Sequence, residues 1–210
     1  MSAPTAEPAA QPEAILAYWF GEPAQHEAEV DAHMRRWFGG GAGEDASLAE
    51  RFGAAVAAAS TGELDSWAVS ARGRLALILL LDQFPRNLHR GTRLAFAQDA
   101  KALALTLTGI ESGLDRMLTP LERMFFYMPM QHAESLEIQE RGVLEFARLA
   151  DTLPTSYLRN VLAGSADYAK QHRDIIARFG RFPHRNEALG RQSTPAEAAY
   201  LAQGAPKFGQ

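Results

Sequence analysis

Cysteine is absent from all 210 residues. That excludes disulfides, thiol nucleophiles and cysteine-ligated zinc. Long apolar stretches are absent too. The longest, Leu75 to Leu81, is far too short to span a bilayer, which takes about 20 residues, so no membrane partner is expected. Basic excess is missing: the formal net charge is −4. Nucleic-acid binding needs cationic surface to neutralise phosphates, so it is not expected. Alternating apolar and polar residues, the mark of a half-buried strand, occur nowhere convincingly. No Gly-x-Ser-x-Gly elbow is present, and the glycines at 39–41 and 43 lack the Lys-Ser/Thr ending of a phosphate loop. None of the histidines stands in a recognised metal-binding spacing, and no metal or cofactor is expected. Residues 1–12 are rich in Ala and Pro, without a basic start or an apolar run. They read as a disordered tail rather than a signal peptide. The remainder, 13–210, reads as a single cytoplasmic domain.

What is present is helical periodicity and a sizeable apolar share, 47% of residues. The spacing predicts an all-α protein of about ten helices in stacked antiparallel pairs, a tetratricopeptide-like array. Ser47-x-x-Glu50 and Thr119-Pro120-Leu121-Glu122 carry helix-start signatures, and Thr194-Pro195-Ala196-Glu197 repeats the second. Pro129 is expected to stop the helix begun at Thr119. Residues 71–83 are apolar all round at their centre, which marks a central, buried helix. A helix over 133–150 and another over 165–179 follow.

Two related segments stand out. Arg178-Phe179-Gly180-Arg181-Phe182-Pro183-His184-Arg185-Asn186 gathers cations, an imidazole and an amide around aromatic rings. Phe84-Pro85-Arg86-Asn87 is a shorter version, 98 residues earlier. Proline biases its predecessor away from helix, so each copy reads as a helix-ending turn. The matching chemistry predicts that the two turns meet as arms of one polar site.

Asp82 and Gln83 close the greasiest helix, and Asp82 precedes Arg86 by four, a spacing suited to an ion pair. An aspartate among leucines needs such a partner, because an isolated buried charge is very costly. His132, Ser135 and Gln139 fall at i, i+3 and i+7 and are expected on one helix face, extending an apolar stripe. His172 shares the inward face of its helix with Ile175, Ile176 and Phe179. From His172 to Arg191 there are five arginines against Asp174 and Glu187, a local excess that suits a small anion. Arg178 sits where a cation complements a helix end. Arginine also recognises carboxylate or phosphate in bidentate fashion.

Asp82, His132 and His172 are thus the candidate catalytic groups. Gln83, Arg86, Asn87, Gln139, Arg178, Arg181, His184, Arg185, Asn186 and Arg191 are the candidate ligand-binding groups. The expectation is a pocket for a small anionic metabolite, with acid/base or hydrolytic chemistry open to it. The alternative is a helical-repeat module that binds a peptide or protein partner in a groove. The oligomeric state stays open.

Read in order, these residues resemble one family. They include Tyr18-Trp19-Phe20, Trp37-Phe38 and Leu80-Leu81-Asp82-Gln83-Phe84-Pro85-Arg86-Asn87. Ala95-Phe96-x-x-Asp99, Tyr127-Met128-Pro129-Met130-x-His132-x-Glu134, Gln139 and the long arginine-rich motif through Asn186-x-x-Leu189-Gly190-Arg191 complete the set. The chain is similar, from about Ala14 to Leu201, to the bacterial family known as domain of unknown function number 924. The resemblance implies a tetratricopeptide-like helical fold and no established activity. Ala133 and Tyr18 depart from residues common in the family, serine and phenylalanine respectively.

Overall fold

The protein is described from a computed structural model over residues 11–22, 26–38, 42–206 and 208. Most of the disordered tail expected over 1–12 lies outside these residues, and Pro12 already opens a helix. The described chain is all-helical, as the periodicity predicts. Its helices are α1 (Pro12–Phe20), α2 (Glu27–Phe38), α3 (Ala42–Thr61), α4 (Ala71–Ile78), α5 (Phe84–Leu88), α6 (Asp99–Glu111), α7 (Pro120–His132), α8 (Leu136–Asp151), α9 (Tyr157–Phe179) and α10 (Pro195–Ala202). Short 3₁₀ turns lie at Arg93–Phe96 and Pro183–Arg185.

A buried rod organises the molecule. Leu75 through Leu81 are wholly inaccessible, and α4 is packed by α1, α6 and α7, with α3 along its continuation. Burying so many aliphatic side chains, each contributing roughly 1.5–3 kcal/mol, dominates the core. An aromatic cluster caps one end of it. Trp19, Trp37 and Phe125 meet edge to face, with the Trp37 and Phe125 ring centres 4.7 Å apart, and Trp37 Nε1 donates to the Trp19 carbonyl at 2.8 Å. On the far side of α7, α8 and α9 form the most extensive helix pair.

Phe84-Pro85 does not end the rod. Leu79–Gln83 forms a π-helical turn, in which the Phe84 N–H reaches back five residues to the Leu79 carbonyl. The chain then continues as α5. Proline breaks a helix through its missing N–H and its clash with the carbonyl four residues back. The wider turn places Pro85 in the first turn of a new α segment, where no donor is needed. Such turns often mark functional positions, and this one carries Asp82.

Two other expectations change for similar local reasons. Pro129 lies inside α7. In the preceding turn, Thr106 Oγ1 donates to the Phe126 carbonyl at 2.8 Å, where Gly109 lets α6 approach the Phe126 ring. Ser47 lies within α3 rather than capping it. The Thr119 and Thr194 starts do form complete capping boxes.

The expected helical face of His132, Ser135 and Gln139 is the fourth correction. Ala133 is extended (φ −73°, ψ 134°), so His132 ends α7, Ser135 precedes α8 and Gln139 lies in its second turn. Helix α9 begins at Tyr157, well before 165, and Gly180 stops it in a left-handed conformation (φ 70°) suited to glycine.

Candidate functional site

The π turn puts Asp82 at the centre of the rod with no solvent contact. Three groups satisfy it. Gln83 Nε2 donates to Oδ2 at 2.5 Å, Arg86 Nη1 lies 3.1 Å from Oδ1, and His132 Nδ1 lies 2.7 Å from Oδ1. Burial favours the neutral acid, but Arg86 and His132 outweigh it and hold the Asp82 carboxyl below its usual range. An ionised carboxylate only accepts, so Nδ1 of His132 carries the proton and Nε2 presents a lone pair. Burial and the Arg86 guanidinium lower the affinity of His132 for a second proton, against the pull of Asp82.

The two Phe-Pro segments meet here. Arg86 also binds Asp99, through Nη2 to Oδ2 at 3.0 Å and Nη1 near Oδ1 at 2.9 Å. Arg185 Nη1 donates to the same Oδ2 at 3.1 Å. Asp99 opens α6, where the helix dipole favours a negative charge. Arg185 lies between two aromatic rings, 4.6 Å from the centre of Phe96 and 4.5 Å from that of Phe182. Its Nε is buried and has no hydrogen-bond partner. Burial and the neighbouring Arg86 push its pKa down to about 10.

Two further imidazoles surround Phe182. His172, 4% exposed, has Nδ1 2.8 Å from the Tyr168 carbonyl, so its Nε2 also presents a lone pair. Its ring centre is 6.3 Å from that of His132 and 5.7 Å from that of Phe182. His184 lies 5.4 Å from Phe182. Burial, and then His132 and Arg185, push His172 down to about 3. Burial and Arg185 push His184 down to about 4. At neutral pH all three imidazoles are uncharged. The Nε2 lone pairs of His132 and His172 are thus free to accept hydrogen bonds.

Most of the other candidates are engaged by partners within the chain. Arg181 grips Glu197 with Nε at 2.7 Å and Nη2 at 2.8 Å, and Asn186 Nδ2 reaches Ser193 and Glu197. Arg191 holds Glu134 in bidentate fashion at 2.6 and 2.9 Å, while Glu134 also accepts the Phe182 N–H. Arg178 is exposed and lies over Phe179 and Tyr200. Gln139 Nε2 donates to the carbonyls of Gln131 and Ala133, closing the end of α7. Gln83 supports Asp82, and Asn87 is half-buried beside Arg86 in sequence.

The positive excess counted between His172 and Arg191 is thus answered from elsewhere, by Asp99, Glu134 and Glu197. Sequence reasoning did not single out Asp99 or Phe96 as site residues. Their signal was the short Ala95-Phe96-x-x-Asp99 pattern alone. Among the described residues, no group of three His, Asp or Glu is disposed to hold a metal ion, and no helix is long and apolar enough to cross a membrane. A separate hollow near Val30, Leu121 and Leu158 is mainly apolar and lacks such convergence.

Fold and cluster together define an all-helical protein built around a buried carboxylate–imidazole–guanidinium group. The chain belongs to the DUF924 family, described as bacterial protein of unknown function, whose pattern matches residues 15–205. It is similar to the solved structure of the protein of unknown function ATU0120 from Agrobacterium tumefaciens. The two share 38% identity over 92% of this chain and 97% of that one, with a TM-score of 0.74. No curated protein matches.

Proposed function

We propose that the cluster around Asp82 and Arg185 is an acid/base site that takes a small anionic metabolite. The observation that carries this reading is the buried 2.7 Å contact between His132 Nδ1 and Asp82 Oδ1. It fixes the tautomer and orientation of His132 and stabilises the imidazolium formed when Nε2 takes a proton. Arg86 keeps Asp82 ionised. Arg185, with its Nε unpaired, holds the anion. His172 and His184 line the same space as neutral polar groups. Among the described residues no nucleophile stands at the site, so in a hydrolytic reaction His132 activates water. The reaction class is proton abstraction from the bound ligand or from that water.

An anion bound beside a neutral imidazole raises its proton affinity. Calorimetric titration of acetate at pH 6, in two buffers of different ionisation enthalpy, reads both affinity and proton uptake. The expected result is uptake of a proton with the anion, reduced uptake in His132→Asn, and affinity lowered about tenfold or more in Arg185→Gln. Acetate binding without proton uptake, or uptake unchanged in His132→Asn, overturns the assignment of His132.

A further inference from the structure

Phe208 packs against Ile175, Ile176 and Phe182 and reaches the site imidazoles. Its ring centre is 3.9 Å from that of His172, with the planes inclined by 30°. It also meets His184 at 5.6 Å and Tyr168 at 6.2 Å. No other residue in the described chain brings an aromatic ring so close to a site imidazole. The backbone beneath it is unusual. Phe208 has φ 51°, the only positive φ of a non-glycine residue among the described residues. The left-handed region is unfavourable for a bulky side chain and persists only when surrounding contacts hold it. Here the ring packs on His172 and against the cluster of Ile175, Ile176 and Phe182.

Two independent features therefore converge. One is a flat platform made by His172, already covered by a six-membered ring. The other is Arg185, buried within the same cluster, with an unpaired Nε. Phe182 joins them, 5.7 Å from His172 on one side and 4.5 Å from Arg185 on the other. We propose that the platform on His172 is an aromatic subsite that takes the ring of a planar aromatic carboxylate, and that Phe208 occupies it until such a ligand displaces it.

This deepens the acid/base reading of the same cluster and rests on it for the role of Arg185. Phe182 contacts both His172 and Arg185, which sets the subsite beside the guanidinium. Aromatic pairs favour such tilted and offset arrangements over arrangements with saturated rings, because the π quadrupoles are complementary. The strained backbone at Phe208 makes the plug releasable. An internal group that fills the subsite about nine-tenths of the time lowers a ligand's apparent affinity about tenfold.

The test compares benzoate with cyclohexanecarboxylate, which has similar size and the same charge but no planar ring. Calorimetry is run on the full chain, the Phe208→Ala variant and the Phe208→Trp variant. Phe208→Ala is expected to bind benzoate about tenfold more tightly than the unaltered chain. Cyclohexanecarboxylate should bind that variant about threefold or more weakly than benzoate does. Phe208→Trp, which keeps a plug, should show no gain, and adding His172→Ala to Phe208→Ala should erase the preference for benzoate. Equal benzoate affinity with and without the Phe208 ring overturns the proposal. So does equal affinity of the two acids for the Phe208→Ala variant. Benzoate gain without proton uptake at His132 leaves the subsite standing and sinks only the acid/base role.

Discussion

Arg86 and Arg185, one from each Phe-Pro segment, converge on a single carboxylate, Asp99. Neither arginine is more than marginally exposed. Two cations held this close are tolerated because Asp99 stands between them and Asp82 neutralises the first. The pairing turns two distant turns into one wall of the site.

Asp99→Asn should therefore be among the most damaging polar substitutions in the chain. It keeps the shape but removes the shared counter-charge. Breaking a buried pair by removing one partner typically costs about 3–5 kcal/mol. Urea unfolding should register a loss of that order. Adding Arg185→Met should return part of it, since the orphaned charge is then gone. A double variant as unstable as the sum of its parts would show that Arg185 does not depend on Asp99.

Much of this wall was legible in the sequence. An aspartate at the end of an all-apolar helix, four residues before an arginine, could hardly do anything but pair. The echo of Phe-Pro-Arg-Asn placed the two turns together. The partners of Arg181, Arg185 and Arg191 were not legible, because Glu197, Asp99 and Glu134 lie 16, 86 and 57 residues away in the chain. Local charge counting cannot see across a fold. Nor could it show the π turn. Pro85 reads as a breaker by its missing N–H, and only the wider turn, with its bond from Phe84 to Leu79, lets the helix carry on. The break at Ala133 was hidden for the opposite reason. Nothing in Ala133-Glu134-Ser135 forbids helix, and the extended link is fixed by Glu134 reaching Arg191 and by Gln139 closing α7.

That closing role predicts a specific effect for Gln139→Leu. The side chain is 1% exposed, and its amide nitrogen serves two carbonyls at the end of α7. Losing it orphans buried acceptors, at about 1–3 kcal/mol. Because His132 lies between those carbonyls in sequence, its ring should also lose its fixed register with Asp82. Thermal unfolding should show the stability loss. Imidazole NMR should show a weakened Nδ1–H signal. A destabilised variant with an unchanged His132 signal would separate the helix cap from the site.

Asp82→Asn tests the dyad directly. The asparagine amide cannot supply the negative charge that draws a proton to His132, whereas Arg86, which repels it, stays in place. The proton affinity of His132 should fall further below its usual range. Following the His132 ring resonances across pH gives the direction. A titration midpoint that moves up, or stays, would mean that Asp82 does not govern His132.

Acid should destabilise the protein through its neutral histidines before its carboxylates take part. Unfolded imidazoles titrate near 6.5, whereas His172 is held down to about 3 and His184 to about 4. His132 is lowered as well. Below pH 6.5 the unfolded chain binds protons that the folded chain refuses, so stability is full above that value and falls as the pH drops. Each such group contributes a slope of up to about 1.4 kcal/mol per pH unit. Asp82 and Glu134 are also lowered in the fold and act in the same direction, but only once the pH reaches the range of unfolded carboxylates. The window from pH 6.5 to 5 therefore belongs to the imidazoles. His172→Phe keeps a ring against Phe182 and Phe208 and removes one titrating group. Its unfolding free energy, measured by urea at half-unit steps through that window, should fall less steeply than that of the unaltered chain. Parallel curves for the two proteins would show that His172 takes up its proton as readily folded as unfolded, and that its burial does not set its charge.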